Sequence, residues 1–169
     1  MKNNNKLLAF ISLVLSLSII FAGTNVYAET TFEKIKRTGK VTVGTEAAFP
    51  PFEFVEDGKI VGYGKDILDY IIADMGVELN QLDLPWQGIL PGVLAGKFDF
   101  VATSVSIRAE RAKKYAFTVP IAEGTNWVMK RSGDSSIMSP DDLSGKVVCT
   151  QLASGSEKAT KEWEADMKS

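Results

Sequence analysis

The sequence predicts an α/β fold. Three observations predict it: from Lys40 onward, short apolar runs of strand character alternate with segments of helical period; an Asp-Gly pair, Asp57-Gly58, separates two of those runs; and Gly76 and Gly96 stand where the helical periods end. Each such element is apolar on one side and must bury that side against another, which builds helices onto a layer of strands.

Val41 and Val43 begin a first strand that ends at Gly44-Thr45-Glu46. Phe52-Glu53-Phe54-Val55 and Ile60-Val61-Gly62-Tyr63 flank Glu56-Asp57-Gly58-Lys59, where Asp-Gly supplies the positive φ of a tight hairpin turn, so this ribbon is expected at an exposed edge. Ile67, Leu68, Ile71, Ile72 and Met75 recur at helical spacing, with Gly76 placed to stop the helix. Residues 79–84 read as the next strand. Ile89, Leu90, Val93 and Leu94 give a short helix closed by Gly96, and 98–102 reads as a buried strand, with Phe52, Phe54 and Phe98 assigned to the core. After a turn-like run at 132–136, a second α/β unit begins, with 146–150 as its strand and 157–167 as its helix. One strand and one helix bury too little apolar surface to offset chain entropy, so this second unit reads as incomplete.

The first stretch reads as an export signal: Lys2 and Lys6 precede an almost wholly apolar run over 7–22, and Val26-Tyr27-Ala28 offers a cleavage site after Ala28. An uncleaved anchor is the competing reading, since about 17 apolar residues can span a bilayer. Cleavage would remove two of the nineteen Lys and Arg residues that stand against twenty-one Asp and Glu, leaving a more acidic mature chain. The basic residues are interspersed with acidic ones, as in Glu110-Arg111-Ala112-Lys113-Lys114, so no polyanion-binding surface is expected and nucleic acid is excluded as a partner. There is no His and a single Cys. That composition argues against metal sites, Ser/His-type catalysis and internal disulfides. Cys149, within an apolar run, reads as a small buried hydrophobe in preference to a thiol pairing with another chain.

Six segments in a fixed order resemble a known family. They are Val43-Gly44-Thr45-Glu46-Ala47-Ala48-Phe49-Pro50-Pro51-Phe52-Glu53-Phe54, Gly62-Tyr63-Gly64-Lys65-Asp66-Ile67, Trp86-Gln87-Gly88-Ile89-Leu90-Pro91, Gly96-Lys97-Phe98-Asp99, Ser104-Val105-Ser106-Ile107-Arg108-Ala109-Glu110-Arg111, and Phe117-Thr118-Val119-Pro120. Together they resemble the bacterial extracellular solute-binding proteins of family 3, the polar amino-acid-binding branch that serves ABC importers. The resemblance implies a periplasmic-binding-protein-like two-lobed fold that closes on a ligand in its cleft. It places the signal peptide at 1–28, the N-terminal part of lobe one at 29–120, a hinge at 121–125 and the start of lobe two at 126–169. The rest of lobe two, the return to lobe one and the acidic residue that usually meets the ligand's ammonium are expected to be missing from this chain.

The same resemblance assigns a ligand site. A zwitterion taken out of water needs each charge paired. Arg111 matches the family's carboxylate-binding arginine, whose planar fork makes two charge-assisted bonds; without the motif it would read as a surface partner of Glu110. Ser104 and Ser106 alternate at the end of the buried strand, and the family match gives that side to the ligand through backbone groups and the Ser106 hydroxyl; capping of the next turn is the alternative. Phe49 and Trp86 match positions that wall the pocket with aromatic rings, though alone they would read as core. Glu46 matches a position that often carries Asp at the ligand's polar end, or is simply solvated. Ser154, Gly155 and Ser156 match a strand-to-helix junction whose free N–H groups favour a carboxylate, where a plain helix cap competes. Four departures from the pattern stand out: Gly64 in place of an acidic residue, Arg108 in place of a capping Thr, Ile121 in place of an aromatic, and Ala153-Ser154 in place of Gly-Thr.

The function expected from these residues is capture of a small polar amino acid, or a close derivative, in the periplasm or at the cell surface, by a non-enzymatic receptor that is monomeric when complete and partners the membrane permease of an ABC importer. No metal, cofactor or catalytic residue is expected. A periplasmic dehydratase-like enzyme on the same scaffold, or the sensing domain of a membrane receptor, are the alternatives.

Overall fold

The computed structural model describes residues 28–168. The export leader expected over 1–28 lies, apart from Ala28, outside the described residues. Of the described residues, 28–37 fall in one unit and 38–168 in a second.

Helix α1 (Thr31–Thr38) was not expected, because eight residues with one buried apolar side chain, Ile35, give too little periodicity to detect. Its start carries a local signal in Thr30 and Glu33. The Thr30 hydroxyl accepts the Glu33 N–H at 3.2 Å and the Glu33 carboxylate accepts the Thr30 N–H at 2.8 Å, a reciprocal capping box.

In the second unit, β1 (Lys40–Thr45), β5 (Glu78–Asp83) and β6 (Phe100–Val101) form a parallel sheet in the order β5-β1-β6. β1 lies in the middle, paired from Lys40↔Glu78 to Thr45↔Asp83 on one side and at Val43↔Phe100 and Gly44↔Val101 on the other. A strand enclosed in this way should be apolar without clean alternation, and Val41, Val43, Gly44 and Thr45 are all buried. The one hydroxyl among them is satisfied: Thr45 Oγ1 donates to the Ala102 carbonyl at 2.8 Å and accepts the Gln81 amide at 2.9 Å.

Parallel neighbours need crossovers. The first runs through β2 (Ala48–Phe49), β3 (Glu53–Glu56), β4 (Lys59–Val61) and α2 (Tyr63–Met75); the second is α3 (Trp86–Leu94). β2, β3 and β4 form a small antiparallel sheet whose turn has Asp57 and Gly58 both at positive φ, 49° and 72°, as a two-residue hairpin demands. α2 buries Leu68 and Ile72, leaves Ile71 exposed and stops at Gly76, whose left-handed backbone donates back to the Ile72 and Ala73 carbonyls. α3 buries Trp86, Ile89 and Gly92. Phe98 fills the space between helix and sheet: a Cβ on Gly92 or on Gly44 would stand 2.6 Å or 2.7 Å from its ring, so two glycines make its slot. Phe52 and Phe54, expected in the core with Phe98, are only half-buried, because Phe54 belongs to the antiparallel ribbon and Phe52 to the turn that leads into it.

Beyond β6 the regular structure is sparse: α4 (Ala109–Ala112), one 3-10 turn (Pro140–Leu143) and α5 (Gly155–Lys168). The strand expected at 146–150 is absent. No strand among the described residues pairs with it, and an extended run without a partner leaves its backbone groups to water. Val147 is accordingly 94% exposed, and Cys149, expected to be buried, is exposed too. Within 126–168 Leu143 is the buried residue, and α5 buries none. No helix among the described residues is long and apolar enough to cross a membrane.

Candidate functional site

All three parallel strands end on the same side of the sheet, and their sequels carry most of the residues singled out above. Glu46 and Phe49 follow β1, Trp86 follows β5, and Ser104 and Ser106 follow β6. The chain leaves β1 for β5 on one side and comes back to β6 on the other, so β1 is a topological switch point. The carboxyl ends of strands at such a point diverge into a crevice, the usual ligand position in open α/β sheets.

Arg111, on α4, lies at the centre of this region. Its guanidinium carbon sits 5.3 Å from the centre of the buried Trp86 ring, a cation–π arrangement. Nη1 donates to the Ser106 carbonyl at 3.2 Å and Nη2 to the Ala153 carbonyl at 3.3 Å. Neither acceptor is charged, and among the described residues Arg111 has no carboxylate at salt-bridge distance. Burial, followed by the charge of Arg108, pulls its pKa below the ordinary value. The surface ion pair with Glu110 that a lone Arg would suggest is not formed; Glu110 instead stands 3.9 Å from Arg108.

The serines are not on a strand. β6 ends at Val101, and Ser104 and Ser106 lie in the irregular chain between it and α4, so strand alternation does not set their direction. Ser104 is held by Glu53, a buried carboxylate that sequence reading left unassigned: its hydroxyl donates to Oε1 at 2.8 Å and its N–H to Oε2 at 3.0 Å, while the Thr103 hydroxyl also reaches Oε2, at 3.2 Å. Glu53 is 2% exposed, so these donors replace its lost hydration. The Ser104 hydroxyl is thus occupied within the protein, whereas Ser106 is exposed.

Phe49 is 45% exposed and stacks on Phe52, their centroids 5.3 Å apart, and Phe52 meets Tyr63 edge-on. These two phenylalanines, Ser104 and Ser106 border a cleft of about 780 Å³. Arg111 and Ser154 border a second one, of about 490 Å³, together with Arg108 and the first turns of α5. The Arg111 to Ser106 hydrogen bond joins the two. Glu46 is bonded across the sequence: its carboxylate accepts the Gln151 side-chain amide at 2.5 Å.

Ser154, Gly155 and Ser156 stand at the start of α5, with an irregular segment before them where a strand was expected. The Ser154 hydroxyl accepts the Glu157 N–H at 3.1 Å, the geometry of a helix cap, and the Ser156 hydroxyl donates to the Asn126 side chain at 3.1 Å. Ala153, where the family pattern has Gly, is held at φ 61°. Arg108 stands at the N-cap position of α4 and makes no side-chain cap, as its replacement of Thr implied.

Residues 41–168 match the family described as bacterial extracellular solute-binding proteins, family 3. The chain is 33% identical over 127 residues to the L-cystine-binding protein TcyJ of Escherichia coli (strain K12), an alignment covering 74% of this chain and 48% of that protein. It spans about half the length of such curated relatives. Among solved structures it is similar to an ancestral arginine-binding protein bound to arginine, with 38% identity and a TM-score of 0.72 over 76% of this chain and 57% of that one. It is also similar to the ancestral amino acid-binding protein AncCDT-1, a precursor of cyclohexadienyl dehydratase, with 33% identity and a TM-score of 0.72 over 79% and 61%. The fold is thus the α/β fold of periplasmic amino-acid-binding proteins, partly covered.

Proposed function

Because the chain belongs to the bacterial extracellular solute-binding proteins of family 3, we propose that the whole protein captures a small polar amino acid, or a close derivative, outside the cytoplasmic membrane and delivers it to the permease of an ABC importer. One observation carries this reading. Arg111 presents a half-buried guanidinium, stacked over Trp86, which donates from Nη1 and Nη2 to neutral carbonyls and meets no carboxylate at salt-bridge distance among the described residues. A desolvated cation without a paired anion is costly, and a ligand carboxylate would relieve that cost with two charge-assisted bonds of about 1.5–3 kcal/mol each.

In this reading the α-carboxylate lies on Arg111, with Trp86 and Phe49 walling the ligand's body. The Ser104 carbonyl and the exposed Ser106 hydroxyl orient it. Glu46 meets the ammonium, exchanging its bond to Gln151 for a charged partner, and the amides at Gly155 and Ser156 approach from the opposite side with Ser154, whose own N–H is held by the Gln151 carbonyl at 3.3 Å. Residues 29–120 form the first part of lobe one, 121–125 the hinge and 126–169 the start of lobe two. The Tyr63 hydroxyl, which donates to the Ile121 carbonyl at 3.1 Å, ties the proposed hinge to the start of α2. Closure on the ligand would give the permease a state to distinguish from the open one, which requires that the closed state bind the ligand more tightly.

The whole protein acts as a monomeric receptor and not as an enzyme, in the periplasm or at the cell surface. The relatives named for binding amino acids support the receptor reading, and the solved relative connected to a dehydratase is itself described as an amino acid-binding protein. Calorimetric titration of the whole protein with the twenty amino acids and cystine tests the reading. Micromolar binding of at least one, lost in Arg111→Ala, is expected; a flat response to all of them overturns it.

A further inference from the structure

Arg108 has no place in the site as proposed, yet it is built into it. It stands at the N-cap position of α4 with extended backbone, φ −140° and ψ 147°, where a short hydroxyl side chain would cap the helix. Its side chain instead crosses to the start of α5. A Cβ on Gly155 would overlap Nη2 and stand 2.7 Å from Cζ, so the guanidinium rests directly on the bare backbone of that glycine. Its Nε is shut off from solvent and has no hydrogen-bond partner. The nearest carboxylate, Glu110, is 3.9 Å from Nη1, at the outer limit of an ion pair, and its own side chain is 54% exposed.

The surrounding charges do not compensate. Lys161 is paired with Glu157 and Lys158 with Glu162. That leaves Arg108 and Arg111 bordering the same cleft with Glu110 as their one remaining acid there. The two guanidinium groups act on each other, since the Arg108 charge is the second cause of the depressed Arg111 pKa. Like charges brought together at a partly dehydrated site destabilise it unless an anion lies between them.

We propose that Arg108 is a specificity-determining residue, which forms with Arg111 a two-guanidinium clamp selecting a ligand with a second carboxylate and rejecting ligands with a cationic side chain. This rests on the reading that Arg111 holds the α-carboxylate. The second carboxylate has two chemical sources: the side chain of an acidic amino acid, or the other α-carboxylate of a dimeric amino acid such as cystine. A partly buried cation that would meet a lysine or arginine side chain acts by repulsion as well as by attraction, and discrimination rests on both.

Calorimetry on the whole protein with glutamate, aspartate, cystine, glutamine and arginine tests this, in the wild type and in Arg108→Gln and Arg108→Lys. Glutamine is close to a neutral isostere of glutamate, so the ratio of their affinities isolates the charge. The wild type is expected to prefer glutamate, aspartate or cystine over glutamine and arginine by at least about tenfold, the factor one charge-assisted hydrogen bond supplies. Which dicarboxylate prevails identifies the source. Arg108→Gln should reduce that preference by about tenfold, while Arg108→Lys, which keeps the charge, should retain most of it. A protein that binds glutamine or arginine as well as the dicarboxylates, or whose preference survives Arg108→Gln, overturns the inference and leaves the amino-acid receptor intact. Binding of none of these or the other amino acids overturns the receptor reading, and this inference with it.

Discussion

Glu53 holds Ser104 by both of its carboxylate oxygens, accepting the hydroxyl at 2.8 Å and the backbone N–H at 3.0 Å. The contact ties the first strand of the hairpin to the loop that follows β6, 51 residues later in the chain. Both the hydroxyl and the backbone N–H of Ser104 are therefore committed to the protein. The space for this carboxylate comes from Gly64, since a Cβ there would overlap Oε1 and stand 2.9 Å from Cδ.

Replacing Glu53 with alanine strands the Ser104 and Thr103 donors in a part-buried site, and the expected loss is about 2–4 kcal/mol of stability, as one or more charged hydrogen bonds disappear. Chemical denaturation of the whole protein measures it, with Glu53→Gln recovering part of the loss. Gly64→Ala should cost about 1–3 kcal/mol through the same contact. Equal stability of wild type and Glu53→Ala would show that the network contributes nothing.

Arg111→Lys tests whether the fork matters beyond its charge. A lysine ammonium is a point charge that cannot make two parallel bonds or lie flat on an indole. Ligand affinity in the whole protein should fall by about tenfold or more, with a smaller fall than in Arg111→Ala. Equal affinity for the lysine variant and the wild type, by calorimetry, would mean that the planar geometry over Trp86 has no part in binding.

At φ 61°, Ala153 occupies backbone space that costs a residue with a Cβ roughly 1 kcal/mol relative to glycine. Ala153→Gly should therefore leave stability unchanged or raise it by up to about 1 kcal/mol, the relief of strain being partly offset by the greater freedom of glycine when unfolded. Ala153→Val, with a branched side chain, should lower the melting temperature. A destabilised glycine variant would show that the left-handed turn is not strained.

Glu157 reads out the start of α5. Its carboxylate accepts the Lys161 ammonium and the Ala153 N–H, each at 2.6 Å, and these bonds, the lysine's first, hold its pKa below the ordinary 4.5. A carboxylate depressed in the folded state contributes order that is present above pH 4.5 and is lost as pH falls through the depressed value. NMR titration should find the Glu157 carboxyl titrating below 4.5 and the Ala153 amide shift following it, and Glu157→Gln should abolish that amide's transition. A carboxyl titrating at or above 4.5 would contradict the hydrogen bonds.

Much of the region from β1 to β6 was legible in the residues because its signals are local. Apolar spacing over Ile67, Leu68 and Ile72, the Asp57-Gly58 turn and the Gly76 stop each act within a few residues, and each element formed where they stand. The run at 146–150 has the same local character and is no strand, and Cys149 within it is exposed, because a strand exists by virtue of a partner and none is present among the described residues. Phe52 and Phe54 carry as much apolar surface as Phe98, but Phe98 alone finds a slot, between Gly44 and Gly92, which lie 48 positions apart in sequence.

The candidate site divides in the same way. Residue types and their order established the family and the α/β alternation, since these follow from short-range patterns written along the chain. That Glu53 would capture Ser104, that Gln151 would reach Glu46, and that Arg108 would leave its cap to lie on Gly155 beside the cleft of Arg111 could not be read there. Those contacts join residues 47 to 105 positions apart, and no local pattern encodes which distant partner a polar group meets when folding takes its water away.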